Sequence, residues 1–113
     1  MRDRDVVILN KIIQYAKEIA FTIEKFAVTE SGLESDFVSK NAISMCILQI
    51  GELVGHLSDE FKLENDAIPW QAIRGMRNIA AHNYGEFDIK TLWEMAASEV
   101  PALQEYCESA IKT

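Results

Sequence analysis

The run Arg77-Asn78-Ile79-Ala80-Ala81-His82, followed by Asn83-Tyr84, separates an arginine from a histidine by four residues and that histidine from a tyrosine by one. A guanidinium holds a phosphate in a two-pronged grip, and an imidazole moves a proton near neutral pH. Together they are the minimum equipment for phosphodiester transfer without a metal, and RNA is the substrate that suits it. In such a reaction the 2′-hydroxyl loses a proton, the phosphorane is stabilised, and the 5′-oxygen regains a proton. His82 would carry the proton transfers and Arg77 the developing charge, with Asn78 orienting the phosphate or the histidine. The sequence has no clustered carboxylate or histidine set for a divalent ion, so neither a metal nor another cofactor is expected.

The same residues also have a plainer reading. An arginine and a histidine near a helix end are commonly a solvated cation and an imidazole favoured by the negative end of the helix dipole, and Tyr84 by itself suits a packing aromatic. At about 100° per residue, Gln71, Arg74, Asn78 and His82 share a stripe about 80° wide, opposite the apolar Ile73, Met76, Ile79 and Ala80. Arg74 is therefore a candidate supporting cation. Arg77 lies about 140° from His82 on a regular helix. Convergence of the two requires fraying, the reach of a long arginine, or a symmetry mate. His56 stands alone on another helix and reads as a surface or satisfied residue.

These residues need helices to position them. Apolar positions from Leu9 through Ile12, Ile13, Ala16, Ile19 and Ile23 keep one helical face dry, predicting a first helix from Asp3 to about Ala27. Val28-Thr29-Glu30-Ser31-Gly32 breaks the pattern. A second helix is expected from a cap at Ser35 or Asp36 to about Glu60. It is apolar almost all the way round between Ala42 and Ile50, so a second subunit is expected to cover the face its own core does not use. Gly51 and Gly55 would let another helix approach closely, or are simply tolerated. Pro69 suits the first turn of a third helix reaching His82 or Asn83, with Gly85 to end it. Asp88 can cap a fourth, and Pro101 predicts a kink or restart after Ser98. No run alternates as a strand would. Residues 1–113 thus read as one all-α domain, an antiparallel bundle of four to five helices with the last kinked near Pro101, forming a homodimer through its second and third helices. Trp70 and Trp93 read as core or interface anchors.

With 113 residues and half of them apolar, the chain supports one core. Cys46 and Cys107 have no neighbours at metal-binding spacing and read as reduced packing residues. The N-terminus is unlike a signal peptide, and no window is expected to match an uncharged membrane span, which points to a cytoplasmic protein without a membrane partner. The net charge of −7 argues against a broad nucleic-acid surface, and no DNA partner is expected. Ala67 to Gly85 nevertheless carries +2, leaving −9 on the remainder, so RNA would be handled locally.

The combination of Ile50-Gly51-Glu52, Ile68-Pro69-Trp70, Gly75-Met76-Arg77-Asn78 and His82-Asn83-Tyr84, with Asp88 and Trp93 following, resembles the HEPN superfamily of small helical ribonucleases, and more closely its HepT-like toxins. The resemblance covers nearly the whole chain. It implies a metal-independent ribonuclease acting as a homodimer, with both copies of the motif meeting at the two-fold interface and Arg77, Asn78 and His82 in the motif positions. It also implies the toxin of a type VII toxin–antitoxin pair, silenced by an MNT-type nucleotidyltransferase antitoxin that adenylates Tyr84. A second reading is a noncatalytic partner subunit that binds a nucleotidyltransferase and its nucleotide.

Overall fold

A computed structural model describes residues 1–82 and 89–112, excluding the side chains of residues 78–82. The first helix, α1 (Asp3–Lys25), ends two residues earlier than the apolar pattern suggests. Its end is a Schellman closure: Val28 N–H bonds to the Ile23 carbonyl at 3.0 Å and Ala27 N–H to Glu24 at 3.3 Å. Ala27 takes the left-handed position with φ 49°, which glycine would occupy at lower cost. The segment expected only to break the pattern contains one helical turn, α2 (Glu30–Leu33), because the Thr29 hydroxyl accepts from Gly32 N–H and caps it.

The expected second helix is divided. Asp36 caps α3 (Phe37–Gly55) by accepting from Ser39 N–H, and the Ser39 side chain together with that N–H holds the Asp36 carboxyl below its usual range. The helix stops at Gly55 instead of running to Glu60, and α4 (Asp59–Glu64) starts anew under a Ser58 cap. A contact remote in sequence makes the break. The carboxylate of Asp5, only 1% exposed, accepts from Ser58 N–H at 2.9 Å and from the Ser58 hydroxyl at 2.6 Å, while Ser58 Oγ accepts from Phe61 N–H. Bonds to an ionised group are stronger than neutral ones. We therefore expect Asp5→Ala to cost about 2–3 kcal/mol and to lower the melting temperature by roughly 10 °C. Calorimetry of the purified variant checks this, and an unchanged melting temperature would remove Asp5 from its anchoring role.

Helix α5 (Trp70–His82) begins just after Pro69, whose carbonyl accepts from Ile73 N–H. The expected roles of Gly85 and Asp88 lie outside the described residues. Trp70 is a buried anchor as expected: its ring packs on Phe61 and Tyr106 at 5.8 and 6.0 Å, and its indole N–H donates to the Asn65 carbonyl. Trp93 is half-buried against the same core. The last helical stretch runs as α6 (Ile89–Glu94), a π-helical turn at Met95–Glu99, and α7 (Val100–Lys112). Val100 N–H reaches back five residues to the Met95 carbonyl. The interruption expected at Pro101 is therefore a widened turn just before it, where a missing N–H donor would disrupt a regular ladder.

The fold is all-α, with α3 lying against both α1 and α5 and with α1 also packed on α7. This central place corrects the premise that the apolar helix has only one face to bury. Ile43, Ile47, Ile50 and Val54 are buried within the chain, and what stays exposed is a narrower strip with Val38, Ala42 and Met45. Contrary to expectation, α3 is also long and apolar enough by composition to cross a membrane, although 44% of its window is buried in the fold. Cys107 is buried and Cys46 half-buried, and both are free thiols. Desolvation pushes them up to about 12 and about 11, so neither presents a thiolate nucleophile near neutral pH.

Candidate phosphate-binding groove

The helix α5 meets α3 at closest range where α3 has no side chain. A methyl placed on Gly51 would stand 2.6 Å from Arg77 Cβ and 2.9 Å from Arg77 N, so only glycine permits this approach. One turn on, a methyl at Gly55 would stand 3.2 Å from Arg74 Nε. The two glycines expected to admit another helix admit α5 of the same chain, and each lies beneath an arginine.

Between the helices is a groove of about 490 Å3. Its lining comes from Gly51, Glu52, Gly55 and His56 on the α3 side and from Gln71, Arg74, Gly75 and Arg77 on α5. The Arg77 Nε–H donates to the Glu52 carboxylate across the groove, with both side chains about two-fifths exposed. A pair this wet contributes little stability and can exchange one partner for a ligand anion. Glu52 thereby aims the motif arginine into the groove.

The structure brings together Arg74 and Arg77 among the residues expected to do chemistry. Asn78 and His82 lie on the same helix, which continues through His82, but their side chains are outside the described residues, as is all of Tyr84. The premise of a regular helix therefore holds, and Arg77 and His82 occupy positions about 140° apart. His56 is the residue that sequence reasoning passed over. It is exposed, as expected, but it closes α3 at the mouth of the same groove as both arginines. Glu52 was noticed only as part of a motif. The spacing Glu52-x3-His56, one helical turn, was the available signal that both face one side.

The chain can be compared with known proteins on this footing. It is 28% identical over 97 residues to the Putative RNase TTE0752 of Caldanaerobacter subterraneus subsp. tengcongensis, covering 85% of this chain and 87% of that one. It is 33% identical over 73 residues to the Putative RNase MJ0125 of Methanocaldococcus jannaschii, covering 65% and 63%. Similarity to the Probable ribonuclease HepT of Thermococcus cleftensis is 26% over 95 residues, covering 80% and 86%. No solved structure gives a significant match. The family model described as ribonuclease HepT-like matches residues 12–110, from within α1 to within α7 and across the whole groove, and the chain therefore belongs to the HepT-like ribonuclease family.

Proposed function

We propose that this protein is a metal-independent endoribonuclease, the cytoplasmic toxin of a type VII toxin–antitoxin pair. The observation that carries the reading is the place of Arg77: in a chain of this family, the motif arginine lines a polar groove beside Arg74 and is oriented by Glu52. A phosphate entering the groove competes with Glu52 for the guanidinium. Arg77 then stabilises the charge that develops on the phosphorane, and His82 takes the 2′-hydroxyl proton and returns one to the 5′-oxygen. Asn78 orients the phosphate.

A homodimer supplies the convergence that one regular helix does not. Val38, Ala42, Met45, Gln49, Glu52 and His56 recur every three or four residues along α3, so they form one stripe. Its first half is exposed and apolar, and its second half runs into the groove. A second copy docked on the apolar half would set two grooves side by side and bring Arg77 of one chain near His82 of the other. A nucleotidyltransferase antitoxin would silence the site by adenylating Tyr84, two residues beyond His82, since an added nucleotide monophosphate obstructs the groove by bulk and repels RNA by charge.

The test is incubation of the purified protein with mixed cellular RNA in excess EDTA, with analysis of the product ends. The expected result is fragments ending in 2′,3′-cyclic phosphate. Intact RNA after incubation with folded protein whose Tyr84 is unmodified by mass spectrometry would instead favour the noncatalytic partner subunit.

A further inference from the structure

The walls of the groove say what part of a substrate they fit. Glycines at 51, 55 and 75 clear the floor, and the side chains around it are Glu52, His56, Gln71, Arg74 and Arg77. No Phe, Tyr, Trp or aliphatic side chain belongs to this lining among the described residues, so polar and charged groups dominate it. What remains is a set of donors. Each arginine offers a planar fork of N–H groups, Gln71 an amide, and His56 at least one ring N–H in either protonation state. Among the described residues of the lining Glu52 is the one carboxylate, and it is paired with Arg77. In a chain of net charge −7 this is a local concentration of cations, too small for a duplex lying across the surface and suited to one strand entering from the side.

We propose that the α3–α5 groove is a subsite for the sugar-phosphate backbone of single-stranded RNA, in which Arg74 and His56 hold a phosphate next to the one engaged by Arg77. Arg77 follows Arg74 by three positions, which sets them about 4.5 Å apart along the helix axis. Both arginines line the same groove, so consecutive phosphates of one strand lying in it can each meet a guanidinium. Gly55 is part of the device: it lets the Arg74 side chain lie against the end of α3, where an added methyl would stand 3.2 Å from Nε and crowd it. The bases are left outside the groove. This subsite therefore contributes affinity and register but no base readout. The inference rests on the ribonuclease reading for its ligand, while its residues are distinct from the proton-transfer group His82.

The experiment uses 2′-O-methyl oligoribonucleotides, which lack the attacking hydroxyl and so report binding without cleavage. Fluorescence anisotropy is recorded against salt for uridine and adenosine oligomers with the wild type, Arg74→Gln, His56→Gln and Gly55→Ala. Wild type is expected to bind both oligomers alike. Arg74→Gln is expected to weaken binding roughly tenfold and to flatten the slope of log affinity against log salt by about 0.7. His56→Gln weakens binding with a smaller loss of slope. Gly55→Ala keeps the arginine and a full helix by circular dichroism, yet weakens binding modestly because the crowded guanidinium must shift. In cleavage of ordinary RNA, Arg74→Gln raises KM more than it lowers kcat. Wild-type affinity and slope in all three variants would overturn the subsite, as would absence of any binding by the wild type. Cleavage in EDTA by such unaffected variants would leave the ribonuclease reading standing alone, whereas variant-sensitive binding by a protein that cuts nothing would keep the subsite and remove the ribonuclease reading.

Discussion

Arg77→Ala and His82→Ala should each lose at least roughly a hundredfold in RNA cleavage, and mixing the two inactive proteins should restore activity. The restoration follows from helix geometry. The helix α5 is continuous through His82, so Arg77 and His82 occupy positions about 140° apart around its axis, and in the proposed homodimer a working pair takes one residue from each copy. A dimer of one Arg77→Ala chain and one His82→Ala chain then has one site lacking both groups and one site with both intact. If chains exchange at random, half of the dimers are mixed and each has one of two sites, so the recovered rate approaches about a quarter of wild type. The measurement is cleavage of a labelled oligonucleotide after the two variants are mixed and left to exchange, with light scattering to follow the dimer. Failure to recover any activity, with exchange shown by a mass-tagged chain, would place the pair within one chain and require α5 to depart from a regular helix when RNA binds. Arg77→Lys should stay close to inactive, because a compact ammonium reproduces the charge of the guanidinium but not its fork or its bond to Glu52.

The second large effect concerns three glycines that look alike in the sequence. Gly51→Ala is expected to destabilise the fold by about 2 kcal/mol, because the added methyl would fall 2.9 Å from a backbone nitrogen of α5 that has no rotamer by which to yield. Roughly 5–10 °C of melting temperature should go with it, together with activity, since α5 carries Arg77. Gly75→Ala, with nothing within 4 Å of the new methyl, should stabilise by up to about 1 kcal/mol through helix propensity. Gly55→Ala falls between them: a flexible arginine end moves aside, so stability holds while the groove is disturbed. Thermal melts of the three proteins decide the matter, and equal shifts in all three would mean that propensity outweighs packing at this interface.

Most of the helical plan is legible along the chain, because that plan depends on neighbours. Apolar spacing along α1, the Asp36 side chain, Pro69 before α5 and Pro101 after the π turn act within a turn or two of where they stand, through caps, missing donors and a dry face. The Arg-x4-His motif was legible for the same reason, as was the polar stripe containing Arg74. Tertiary structure decided everything that joins residues remote in the chain. Asp5 stops α3 at Gly55 by holding Ser58, 53 positions away, and no periodicity contains that bond. The meaning of Gly51 depends on which residue faces it, and that residue is Arg77 of the same chain. Glu52 and His56 became parts of the site only when α5 was laid against α3, because a charged side chain on a helix face has the same local signature whether it meets water or an arginine 25 residues on.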